Sequence, residues 1–285
     1  MRAMNRLRSV RSVSAAKKPA LYLLAGSLLL CASASYALDP ATTDPQKILR
    51  NASDSATPNR GLSRFKMSIK DRSGTRERLM TLRTLRFDGG RKSLILIEQP
   101  ADVRNTGFLS IDYSARGKTD EQWLYLPKLH RVSRVPNSGK SDAFVGSDFS
   151  LSDLAAPDPD AFNLKLTSPS VKVGDDDCWL IEAVPRDEAT RDEYGYSRME
   201  LWVSKSKSLL VQVKATLADG KRTKYFKVSD VRNDGGLWTP HRLQMRTLEG
   251  SNVVSETVID VLSVDNAAKD VVDADFTQQR LERGV

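Results

Sequence analysis

Histidine and cysteine are nearly absent, with two of each in 285 residues. His130 and His241 stand far apart in the chain, and neither belongs to a paired-histidine metal motif. No Gly-x-Ser-x-Gly elbow, phosphate-cradling glycine loop, calcium-spaced acidic loop or Cys-x-x-Cys pair is present. These absences remove the most recognisable hydrolase, nucleotide-binding and metal-site classes. Paired carboxylates stay open, because such pairs come from anywhere in a fold. His241 shares an apolar strand face, the setting of a core histidine whose polar atoms are satisfied. His130, beside a turn, reads as a surface residue. Asp175-Asp176-Asp177 follows Gly174 and precedes a strand, so it reads as a solvated turn.

Long apolar runs are also missing. The longest, Leu21 to Cys31, is too short for a spanning helix, which needs about 20 apolar residues. It follows a segment with Arg2, Arg6, Arg8, Arg11, Lys17 and Lys18 and no acid. It precedes Ser35-Tyr36-Ala37, a small-x-small cleavage pattern. Residues 1–37 are therefore predicted to be a secretory signal peptide, with residues 38–285 as the mature periplasmic chain. Bulky Leu28-Leu29-Leu30 argues against lipoprotein processing at Cys31.

Removing the signal changes the charge. Of the 44 lysines and arginines, 38 remain against 36 acids, a net charge near +2. That is no footprint for nucleic acid, which wants a clustered basic face. Only Cys178 remains, so no internal disulfide can form even in an oxidising compartment. Its run, Cys178-Trp179-Leu180-Ile181, marks a buried, inert thiol. No linker, charge block or repeat divides the mature chain.

What the sequence does contain is alternation. Asp44-Pro45 predicts a short helix over Gln46 to Arg50, with Asp44 as cap. Phe65, Met67 and Ile69 then alternate with polar residues, which predicts a half-buried strand. Turns at Arg72-Ser73-Gly74 and Asp88-Gly89-Gly90 bracket a long strand from Arg76 to Phe87. Later, Leu209, Val211, Val213, Ala215 and Leu217 are predicted to share one face. Asp219-Gly220 is a strong hairpin signal, and strands over Thr223–Val231, Leu237–Met245 and Val253–Val264 follow. Tight turns between successive strands imply an antiparallel meander. The class is mainly β, as a sandwich or an open or closed barrel.

The central segment breaks this rhythm. Trp123 and Tyr125 share a strand face, Pro127-Lys128 turns, and Arg131 to Val135 returns. Pro136 to Phe149 is then a long polar loop holding Phe144 and Phe149. Such loops are uncommon unless functional or disordered. Two readings stand: an ordered Ω-like loop with its aromatics in the core, or a mobile lid over a cavity.

Here the residues become specific. Thr106-Gly107-Phe108-Leu109-Ser110, Glu121 to Pro127 (EQWLYLP), Arg131 to Arg134 (RVSR), Phe144 to Phe149 (FVGSDF) and Asp153-Leu154 resemble the outer membrane lipoprotein-sorting protein family. These are LolA-like proteins often linked to inner-membrane exporters of the RND superfamily. The resemblance covers about residues 45–285, including an ending like Asp273 to Arg283. It implies one LolA/LppX-like domain over residues 38–285: a curved antiparallel β half-barrel wrapped around one or two short helices. It further implies a hydrophobic cavity for lipid or lipoprotein acyl chains, no catalysis and no cofactor. It fits a monomer that contacts a membrane only transiently.

Met67, Met80, Phe108, Trp123, Tyr125, Phe149 and Trp179 are the candidate cavity-lining residues, with ordinary core packing as the alternative for each. Arg131 and Arg134 are candidates for a lipid head group or an acidic partner, or form a solvated strand edge. Phe144, Gly146, Ser147 and Asp148 are the lid or loop candidates. A lipid or lipoprotein carrier is the leading expectation. A periplasmic sensor or adaptor for a membrane-protein partner is the alternative, and a hydrolase or lyase on a β scaffold a weaker third.

Overall fold

The computed structural model describes residues 38–114, 118–155 and 158–284. The predicted signal peptide, with Cys31 and Ala37, lies outside them. Helix α1 (Pro45–Ser55) comes first. Asp44 caps it as the sequence predicts, accepting from the backbone N–H of Gln46 at 3.0 Å and of Lys47 at 3.2 Å. Pro45 supplies the first helical position, where its missing N–H costs nothing.

Six strands follow: β1 (Arg60–Asp71), β2 (Gly74–Phe87), β3 (Gly90–Gln99), β4 (Gly107–Tyr113), β5 (Glu121–Leu126) and β6 (Arg131–Arg134). The second set is β7 (Phe162–Val173), β8 (Asp176–Pro185), β9 (Tyr196–Ser204), β10 (Leu209–Leu217), β11 (Arg222–Asp234), β12 (Leu237–Glu249) and β13 (Asn252–Asp265). Helix α2 (Glu188–Tyr194) joins β8 to β9, and α3 (Gln278–Arg283) ends the described chain. All 13 strands form one antiparallel sheet in the order β6-β5-β4-β3-β2-β1-β13-β12-β11-β10-β9-β8-β7. The sheet is curved and unclosed, the half-barrel that the resemblance implied.

This topology decides what fills the inside. β1 pairs with β13, so the two sets of strands spread in opposite directions from that seam. Consecutive strands β6 and β7 therefore lie at opposite edges. The chain joining them has to travel between those edges, and its described residues 144–154 lie over the inner face. Its Phe144, Phe149 and Leu151 pack among Met67, Met80, Ile97, Phe108 and Met245. α1 covers the other half of that face, with Ile48, Leu49 and Ala52 against Trp179, Ile181 and Leu201. Each large apolar side chain so buried contributes about 1.5–3 kcal/mol.

The opposite face of β3 to β5 is covered too. Leu281 of α3, with Val271 and Phe276, packs on Leu94, Leu96, Leu109 and Tyr125. Gly107 permits this approach: a Cβ there would lie 2.5 Å from Leu281 Cδ1 and 2.9 Å from Leu96 Cδ2.

One predicted face divides. The pairing of β10 with β9 slips between Leu210 and Gln212, a bulge that reassigns faces. Leu209 and Val211 join Cys178 in a small separate cluster, while Leu210 and Val213 face α1. Strict alternation could not foresee the inserted residue.

Candidate functional site

Register builds the inner surface. In antiparallel sheets, residues directly opposite one another share a face. One such row runs Ile181, Leu201, Val213, Phe226, Met245, Thr257 across β8 to β13. The adjacent row runs Leu164, Ala183, Met199, Ala215, Lys224, Thr247, Ser255 across β7 to β13. Both rows are apolar on the β7 side and become polar toward β13. Over their apolar part lies a cavity of about 210 Å³. Leu49 of α1 closes it on one side and Phe149 of the central segment on another.

The central segment attaches where the rows turn polar. Asp148 is buried among three hydroxyls: Thr247 donates to it at 2.5 Å, Thr257 at 2.6 Å, and Ser255 donates as well. Five residues on, Asp153 accepts from the Tyr196 hydroxyl at 2.7 Å and lies 3.5 Å from Lys224 Nζ. The backbone N–H of Ser150 also donates to Asp153, at 2.8 Å. Burial, with the Asp153 carboxylate beside it, pushes the Tyr196 phenol well above its ordinary range, so it stays a donor. Tyr194 also lines the cavity, its ring edge-on to Phe162 at 4.8 Å.

The FVGSDF run explains its own composition. Phe144 leans on Phe108 at 6.1 Å, and Phe149 meets Phe226 edge-on at 6.2 Å. Between them, Val145 and Gly146 turn the chain through positive φ, at 45° and 75°. Ser147 Oγ accepts from Phe149 N at 3.1 Å, and Asp148 makes the attachment above. Gly146 is exposed; Phe144, Ser147 and Asp148 are buried. Anchored on both rows, the segment has the form of an ordered plug.

Of the seven predicted lining residues, Phe149 borders the cavity. Met67, Met80 and Phe108 belong to the core beneath the plug. Trp123 and Tyr125 pack with the α3 side of the sheet. Trp179 packs under α1, its indole N–H donating to Thr42 O at 3.0 Å. Arg131 and Arg134 are exposed on the edge strand β6. The residues missed were Met199, Tyr196, Lys224 and the facing positions of β7 to β10. The inward lysine was visible as a polar break on a strand face, but only register shows where that face points.

The remaining candidate chemistry is quiet. His241 Nε2 lies 2.8 Å from Asp234 Oδ2, nearly buried. His130 is exposed. Asp177 is held by Lys205 at 3.0 Å and by Ser170, and Asp176 by Lys207. Cys178 is fully buried, which pushes its thiol up to about 11.

No curated protein matches the sequence. Solved structures share the fold, three of them each over 84% of this chain. An outer membrane lipoprotein-sorting protein domain from Vibrio parahaemolyticus is 24% identical, with TM-score 0.73 and 98% of its own chain covered. A DUF1329 family protein from Desulfovibrio piger is 28% identical, with TM-score 0.73 and 100% of its chain covered. A LolA superfamily protein from Nitrosomonas europaea is 20% identical, with TM-score 0.61 and 100% covered. The fold is thus LolA-like, and by the family model described as "Uncharacterized protein", which matches residues 89–283, the chain belongs to that family.

Proposed function

We propose that this chain is a non-catalytic carrier that shelters an acyl chain of a lipid or lipoprotein on its way through the periplasm towards the outer membrane. The observation that carries this reading is the apolar cavity between α1, the plug and the rows of β7 to β12. The LolA-like fold supports it, because one solved relative of that fold is named for outer membrane lipoprotein sorting. In this reading residues 1–37 are the cleaved signal peptide, and 38–285 act as a single monomeric domain.

Size sharpens the proposal. An apolar cavity of about 150 Å³ holds one benzene ring, so about 210 Å³ holds part of one chain and not a whole lipid. Each buried methylene contributes about 0.8 kcal/mol. Larger cargo requires the plug to lift, exposing the core around Met67, Met80 and Phe108. Lipid extraction and mass spectrometry of protein purified from the cell envelope tests the reading. A stoichiometric acyl lipid is expected; an empty protein that also takes up no added fatty acid contradicts it.

A second role attaches to β6. It is the terminal strand of the sheet, and its Arg131 and Arg134 are exposed and are not among the residues lining the cavity. We assign them to an acidic partner, such as an RND-superfamily exporter, in place of the cavity's head group. Arg131→Glu with Arg134→Glu should abolish exporter pull-down and leave acyl binding intact. Loss of acyl binding with retained pull-down contradicts that assignment.

A further inference from the structure

We propose that Lys224 is a head-group site: it binds the anionic head of a single-chain amphiphile whose tail occupies the apolar cavity. This rests on the carrier reading above. Among the described residues lining the cavity, Lys224 is the one base, and its side chain is 12% exposed. It follows Ala215 in the second row, so it stands where the apolar floor ends.

Its hydrogen bonding is incomplete. An ammonium carries three donors. One reaches the Tyr196 hydroxyl at 3.3 Å, and Asp153 lies 3.5 Å away, both long for a buried charge. Asp153 does not depend on Lys224, because Tyr196 at 2.7 Å and Ser150 N at 2.8 Å already serve its carboxylate. Tyr196 spends its one proton on Asp153 and offers Lys224 only a lone pair. The ammonium therefore keeps donor capacity beside an apolar void.

A carboxylate or phosphate on the end of an acyl chain matches that arrangement. Its charge meets an ammonium in a partly water-excluded wall, where a charge-assisted hydrogen bond is strong. Its tail lies along Ala215, Met199 and Val213. A neutral amphiphile of the same length gains the burial and forgoes the ion pair.

Calorimetry with decanoate, decyl phosphate and decanol tests this on wild type, Lys224→Met and Lys224→Arg. Wild type should bind both anions at least about tenfold more tightly than decanol. Lys224→Met should erase that preference and Lys224→Arg should keep it. A stronger response to one anion identifies the source as carboxylate or phosphate. Should Lys224→Met not fold, Asp153→Asn supplies the second arm, because removing the neighbouring negative charge should tighten anion binding. Equal wild-type affinity for all three ligands, or a preference that survives Lys224→Met, overturns the head-group site and leaves the carrier reading standing. Failure of wild type to bind any of the three overturns the carrier reading itself.

Discussion

Asp148 and Thr257, 109 residues apart, exchange two hydrogen bonds: Asp148 N–H donates to Thr257 Oγ1 at 2.9 Å, and that hydroxyl donates back to Asp148 Oδ2 at 2.6 Å. A segment that begins at one edge of the sheet is thereby fixed to the strand beside the central seam. Thr247 and Ser255 complete the attachment. This buried carboxylate holds the plug to β12 and β13, as Asp153 holds it to Tyr196.

Asp148→Ala should destabilise the protein by about 2–4 kcal/mol, since it strands buried hydroxyl donors. Urea unfolding measures the loss. Amide exchange should show its local share, with residues 144–154 opening before the strands do. Uniform exchange across plug and sheet would show that the segment is not a separate unit.

Gly107→Ala should cost about 1–3 kcal/mol through overpacking, because its Cβ would meet Leu281 and Leu96 in a filled core. The double variant with Leu281→Ala should be less destabilised than the two single losses summed. Strict additivity in thermal melts would contradict the contact.

Cys178 should be unreactive in the folded protein. With its thiol pushed up to about 11 and fully buried, essentially no thiolate forms at pH 8. Iodoacetamide should label it only in denaturant. Rapid native labelling would mean that the β8 to β10 cluster opens readily.

Asp120 gives stability an acid-side gain. Burial, more than the nearby Asp112 carboxylate, raises its carboxyl from 3.8 to about 6, against the backbone N–H of Tyr113. The folded state binds the proton more tightly, so stability falls as pH rises from about 4 through 6. Asp120→Asn should remove that slope and stabilise the protein at pH 7 by on the order of 1–2 kcal/mol. An unchanged pH profile contradicts it.

The fold was legible where local signals agree with global pairing. Asp44-Pro45 started a helix, and Asp219-Gly220 joined β10 to β11. The sites were less legible because they depend on register and topology. Nothing local announces that β6 and β7 lie at opposite edges, and that separation makes the chain cross the sheet, where Asp148 and Asp153 hold Phe144 and Phe149 inside. Likewise, Trp123 and Tyr125 read as lining aromatics until α3 is seen packed against them. Lys224 could be assigned to the cavity only once its alignment with Ala215 and Thr247 was known.

The measurement closest to the central claim is fatty-acid uptake by wild type and by Ala215→Phe. Ala215 is buried between Met199 and Lys224 in the cavity floor, so a phenyl ring there occupies the void. Wild type should bind a fluorescent fatty acid stoichiometrically, and the variant should bind at least about tenfold more weakly while melting within a few degrees of wild type. Equal binding by a folded Ala215→Phe variant would mean that acyl chains, if carried, do not use this cavity.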